Sequence, residues 1–194
     1  MVRLLTPSDY RSMPWKNGAG RTTEIAVHPP GTAIDAFAWR ISVAEVDRDG
    51  PFSRFPGIDR TIVLLEGAGM RLSGGALDAE LTTAFVPHAF SGDDAVDCTL
   101  VDGRIRDFNA MFRRGSTRGN VTVVRGEAAE FVPADFRLAY AATGTHKCVV
   151  SGHAPMILAP GHSVLVGHDD EGLSMAIRPC SATAVALIVS IDGP

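Results

Sequence analysis

The residues with most chemical potential lie in the first 109 positions. The run Pro14-Trp15-Lys16-Asn17-Gly18-Ala19-Gly20-Arg21-Thr22-Thr23-Glu24 packs an aromatic, two cations, an amide, hydroxyls and a carboxylate into one short stretch. Arg40 and Ser42 interrupt an apolar segment at alternate positions, Arg60 opens another, and Asp107 and Asn109 stand two apart. If these side chains converge, Lys16, Arg40 and Arg60 face Glu24 and Asp107, with Asn17, Thr22, Ser42 and Asn109 as neutral hydrogen-bonding groups. A guanidinium fork matches a carboxylate bidentately. The expected ligand is therefore an anionic metabolite that also carries an amide or an imidazole. Plainer roles stand beside this one. Arg40 can lay its stem on the protein and its head in water, Arg60 can pair with Asp59 at the surface, Asp107 can cap a turn, and Glu24 can point outward. Trp15 fits a packing lid better than a stacking platform.

Catalysis has a weaker footing. Glu24 or Asp107 could act as a general base if burial raised its pKa. No Ser-His-Asp order, Cys–His pair or phosphate loop is present. Ser163 follows His162, and adjacent strand residues face opposite ways. Cys98 lies in an apolar segment and reads as inert core.

Short strands must position these groups. Gly18 and Gly20 permit a tight turn or close backbone approach, after which Arg21 to Glu24 begin a strand with Thr22 and Glu24 on one face. Phe37, Trp39, Ile41 and Val43 alternate with Arg40 and Ser42, a period of two. Residues 61–65 are largely apolar and begin with three β-branched residues, which implies burial on both sides. Glu66-Gly67-Ala68-Gly69 then predicts a turn, with Met70-Arg71-Leu72 returning beside it. Further strands are expected at 83–86, 98–101, 121–124, 147–150, 156–158, 163–166 and 184–191. Single helical turns are expected near 6–10 and 133–135. The pattern argues an all-β sandwich or barrel. Glu66-Gly67-Ala68-Gly69 before Phe85-Val86-Pro87-His88 finds an echo in Ala142-Thr143-Gly144-Thr145 before Leu158-Ala159-Pro160-Gly161-His162, which suggests two repeats joined near the polar stretch 113–119.

Bulk properties remove several classes. The chain has 194 residues, 45% hydrophobic, with a net charge of −4. That acidity argues against a nucleic-acid partner. No basic run, no apolar segment of membrane-spanning length and no leader peptide are visible, so no membrane partner and a cytoplasmic location are expected. Cys98, Cys148 and Cys180 are odd in number and widely spaced, which suits neither a disulfide framework nor a zinc site.

Four blocks carry a family resemblance: the Pro14–Ile25 run, Trp39-Arg40-Ile41-Ser42, Phe52-Ser53-Arg54-Phe55-Pro56-Gly57-Ile58-Asp59-Arg60, and Arg106-Asp107-Phe108-Asn109-Ala110-Met111. Together they resemble the HutD/Ves family, and the turns at Gly67 and at Pro160-Gly161 look like cupin signatures. The resemblance implies a bicupin: two antiparallel jelly-roll-like β-barrels in one chain with few short helices. The N-terminal cupin-like barrel, with the candidate pocket, would span 1–112, and the C-terminal one 113–194.

Many cupins hold a metal with a His-x-His pair, a Glu and a later His. With Gly67 and Pro87 as the signature residues, those positions fall near Ser53, Phe55, Arg60 and Gly92, none of them a ligand. The first barrel is therefore expected to hold no metal, a fixed cation taking its place, and no cofactor is expected. His146, His153, His162 and His168 lack close metal-ligand spacing. The resemblance further implies a regulatory, metabolite-binding protein linked to histidine utilisation, with urocanate or formylglutamate as reasonable ligands. A metal-independent enzyme on such a carboxylate is the alternative. A third reading is an interaction protein that forms a homodimer through an edge strand.

Overall fold

The computed structural model describes residues 1–15, 18–167 and 172–193. Among the described residues, nineteen strands run from β1 (Val2–Leu5) to β19 (Val185–Asp192), and one helical element occurs, a 3-10 turn at Pro7–Asp9. Every strand pairing is antiparallel. The expected turn near residue 6 is this 3-10 element, held by Asp9, which accepts from the Thr6 backbone and hydroxyl. The turn expected at 133–135 is not helical.

Two compact units form: Tyr10–Thr117, and Met1–Asp9 together with Arg118–Pro194. In the first, a six-stranded sheet has the order β2 (Arg11–Pro14), β3 (Gly20–His28), β4 (Trp39–Val46), β11 (Ile105–Arg113), β6 (Ile58–Glu66), β9 (Pro87–Ser91). A four-stranded sheet has the order β5 (Gly50–Pro51), β10 (Asp97–Leu100), β7 (Met70–Gly74), β8 (Leu77–Leu81). In the second unit the sheets are β1, β17 (Ser163–Val166), β14 (Phe136–Thr143), β19, β12 (Arg118–Arg125), and β13 (Ala129–Phe131), β18 (Met175–Pro179), β15 (His146–Val150), β16 (Met156–Leu158).

The same path runs twice. Taking β4 to β11 as first to eighth strand, one sheet contains first-eighth-third-sixth and the other second-seventh-fourth-fifth; β12 to β19 repeat both orders. This is the jelly-roll connectivity. The sequence echo falls on equivalent places: Glu66 to Gly69 and Ala142 to Thr145 each join third to fourth strands, and Pro87 and Pro160 stand at or before sixth strands. The boundary differs from the expected 112/113 and 1–112 division. Residues 1–9 join the second unit because β1 pairs along its whole length with β17, Val2 opposite Val166.

Alternation explains the layering of the first unit. On β4, Trp39, Ile41 and Val43 share one buried face, while Arg40, Ser42 and Ala44 face the cavity lining. Residues 62–65 of β6 are buried on both faces, as expected. Ile62, Leu64, Met70, Leu72 and Cys98 bring residues of both sheets into one core cluster.

Two local expectations fail for tertiary reasons. Met70 to Leu72 do not fold back beside β6: β7 pairs with β8 and β10 in the other sheet, so Glu66 to Gly69 form a corner. Gly67 (φ +101) makes that corner, and a Cβ there would sit 2.7 Å from the Arg104 carbonyl. Residues 83–86 form a turn, with Phe85 at φ +60 and its amide donating to Leu64 O at 2.8 Å; the strand begins at Pro87.

Candidate functional site

A cavity of about 600 Å³ opens within the first unit. Its floor is built from three neighbouring strands whose inward residues form rows. Arg40 on β4, Met111 on β11 and Arg60 on β6 make one row. Ser42, Asn109 and Ile62 make the next, and Ala44, Asp107 and Leu64 the third. On β3, Glu24 stands opposite Ser42, at the last pair before a bulge between Glu24 and Ala26. Rows two residues apart along a strand lie about 7 Å apart, so the cations and the Asp107 carboxyl stand at different depths of one wall.

Arg60 is enclosed by aromatic rings. It is 6% exposed, and its guanidinium lies over Phe90 at 4.6 Å, Phe55 at 5.5 Å and Phe52 at 5.6 Å from the ring centres. Aromatic faces hold a cation without neutralising it. Its Nη2 donates to Asn109 Oδ1 at 2.8 Å and its Nη1 to the Ser53 carbonyl at 3.4 Å, while Nε has no partner among the described residues. Burial lowers its pKa to about 10, with the neighbouring Asp107 opposing that shift. Arg40 is 3% exposed and its Nε donates to Glu24 Oε2 at 2.7 Å.

Asn109 Nδ2 donates to Asp107 Oδ1, so a relay runs Arg60–Asn109–Asp107. Asp107 is fully buried, and its Oδ2 has no partner among the described residues. Burial pushes its carboxyl up to about 7, with Arg60 and the Asn109 hydrogen bond pulling the other way. At the rim, Trp15 Nε1 donates to Thr22 Oγ1 at 2.7 Å. Gly20 allows this turn to close on β4: a Cβ there would stand 2.2 Å from the Glu45 carbonyl oxygen and 3.2 Å from the Trp15 ring.

Of the expected site residues, Thr22, Arg40, Ser42, Arg60, Asp107 and Asn109 line the cavity, and Glu24 is joined to it through Arg40. Lys16 and Asn17 lie outside the described residues, as does His168. The plainer roles do not hold. Arg40 does not reach bulk water, Asp107 sits inside β11 rather than at a turn, and the Glu24 side chain is 18% exposed. Asp59 pairs with Arg114 at 2.7 Å, leaving Arg60 to the interior. Sequence reasoning missed the aromatic box: Phe52 and Phe55 stood in a quoted block, but nothing in their spacing joins them to Phe90, 35 residues later. Met13, Ile34 and Pro51 also line the cavity.

The donor set does not suit a metal. Ser53, Phe55 and Arg60, near which three of the expected ligand positions fall, line the cavity, and none of the three is a usual metal ligand. Near the fourth, a Cβ on Gly92 would meet the Phe55 carbonyl at 2.6 Å. Among the described residues, no group of three or more His, Cys, Asp or Glu is placed to hold a metal ion. Among the described residues, no helix is long and apolar enough to cross a membrane.

Comparison with known proteins places this geometry in a lineage. An uncharacterized 21.2 kDa protein from the hutC 3′ region of Pseudomonas putida is 33% identical over 177 residues, 91% of this chain and 93% of the relative. The structure of a conserved protein of unknown function from Pseudomonas aeruginosa PAO1 matches over 100% of both chains, with a TM-score of 0.91 and 36% identity. HutD from Pseudomonas fluorescens SBW25, solved in a formate condition, matches over 100% of both chains, with a TM-score of 0.83 and 29% identity. A cupin barrel-domain protein from Leptotrichia buccalis, 11% identical with a TM-score of 0.55, shares the fold alone. The HutD family model matches residues 7–185, and the chain belongs to the HutD family.

Proposed function

We propose that the protein binds a small carboxylate metabolite in the first barrel, without a metal, and that binding serves a regulatory role in histidine utilisation. One observation carries this reading: Arg60 is buried on three aromatic rings and, among the described residues, is bonded only to neutral oxygens and has no partner at Nε, in a cavity of about 600 Å³. A buried guanidinium without a bonded carboxylate is costly unless a ligand supplies one. Arg40 stands in the same row as a second fork, already oriented by Glu24. The Pseudomonas fluorescens relative was solved in a formate condition, and formate is the smallest carboxylate. The names of the two hut-related relatives supply the pathway setting, which is taken over here as part of the proposal.

Urocanate and formylglutamate are the first ligands to test. A ligand that binds only the native state raises the melting temperature. Wild type should gain stability with one of them and return it unchanged, whereas folded Arg60→Ala and Arg40→Ala proteins should show no gain. A full shift in both variants refutes the reading. A second reading, a metal-independent enzyme, is favoured by the Asp107 carboxyl, buried and poised near neutrality. Consumption of the ligand on prolonged incubation, lost in Asp107→Asn, would establish it instead.

A further inference from the structure

Among the described residues, the charges at the cavity do not balance once a carboxylate enters unless Asp107 holds a proton. Arg40 and Glu24 neutralise each other at 2.7 Å. Arg60 remains against Asp107 and reaches it through Asn109. Asp107 interacts with Arg60 of β6 and with Cys98 of β10, a neutral thiol pushed up to about 12 by burial, while Arg40 of β4, paired with Glu24 of β3, stands in the row of Arg60. With Asp107 ionised, Arg40, Glu24, Arg60 and Asp107 sum to zero. A bound monocarboxylate would then leave one uncompensated negative charge in a buried site, a costly arrangement. With Asp107 protonated the same four sum to +1, and a monocarboxylate restores neutrality.

The geometry also says where the proton goes. The Asn109 amide is oriented by Arg60: its oxygen accepts from Nη2, so its nitrogen donates, and Asp107 Oδ1 receives that bond. Oδ1 is thereby committed as an acceptor. Oδ2 has no partner among the described residues and belongs to a fully buried residue that lines the cavity.

We propose that the site takes up a monocarboxylate together with one solvent proton, held on Asp107 Oδ2 and donated in a hydrogen bond to an acceptor on the ligand. This rests on the carboxylate reading above and adds the ligand's charge class: monoanions with an acceptor at the far end, in preference to dianions. The O–H bond on Asp107 is the only bond that forms. Asp107 acts here as a specificity residue. Because burial holds this carboxyl near 7, the coupling falls in the neutral range. Affinity falls as pH rises, by about tenfold between pH 6 and pH 8.

Isothermal titration of the full chain with 2-furanacrylate, a monocarboxylate of urocanate's shape that does not titrate in this range, tests the coupling. In buffers of different ionisation enthalpy, wild type should take up close to one proton at pH 8 and almost none at pH 6, with about tenfold weaker affinity at pH 8. Asp107→Asn is neutral at every pH and keeps a donor in place. It should bind at pH 8 as wild type does at pH 6, with no proton taken up. Proton-free, pH-independent binding by wild type overturns the inference and leaves the carboxylate reading standing. So does loss of binding at both pH values in a folded Asp107→Asn protein. Should that variant not fold, the wild-type proton count decides alone. Absence of binding of 2-furanacrylate, urocanate and formylglutamate at every pH overturns both.

Discussion

Replacing Asp107 by Asn should stabilise the first barrel at alkaline pH and leave it almost unchanged under mildly acidic conditions. The carboxyl is fully buried, and its pKa rises from the ordinary 3.8 to about 7 in the folded protein. The folded state therefore keeps a proton that the unfolded chain releases above about 4. Stability from this group is complete below the unfolded value and is lost as pH rises through the folded value, a window from about 4 to 7. At 1.36 kcal/mol per pH unit that window is worth on the order of 4 kcal/mol. An Asn side chain keeps the acceptor that receives the Asn109 amide proton but carries no charge, so it escapes the loss. Urea unfolding followed by tryptophan fluorescence reads the right unit, because Trp15 and Trp39 both lie within Tyr10–Thr117. Near pH 4 the two proteins should share a midpoint; at pH 8 the variant's should be higher with the same slope, which marks a change in stability alone. Parallel pH profiles, or a variant less stable at pH 8, would refute the electrostatic account of this site.

Arg60→Met should remove ligand stabilisation, and it should move the pH midpoint of Asp107 above that of wild type, since Arg60 draws that pKa down; the pH dependence of urea midpoints reads the shift. Gly20→Ala should destabilise the first unit by about 1–3 kcal/mol, because its Cβ meets the Glu45 carbonyl and the Trp15 ring, and overpacking costs that much; chemical denaturation measures it. With thiol reagent at pH 8, Cys180 should react quickly in the native protein, whereas Cys98 and Cys148, buried and pushed up to about 12, should react only after unfolding.

The amino-acid order alone settled which side chains share a face. Alternation along β4 sent Arg40 and Ser42 opposite to Trp39 and Ile41, and the same period paired Asp107 with Asn109. It also marked the glycines that permit close turns and the places where the barrel path repeats, because these depend on local backbone geometry and side-chain period. What lies across from a face is a long-range matter. The corner at Gly67 looked like a hairpin because turn residues do not specify whether the returning strand pairs with its neighbour or crosses to the other sheet. The Phe52, Phe55 and Phe90 box, the pairing of Arg40 with Glu24, and the order Arg60–Asn109–Asp107 exist only once β3, β4, β6, β9 and β11 lie in register. The raised pKa of Asp107 belongs to the same class, since burial is a property of the closed barrel and no single strand can supply it.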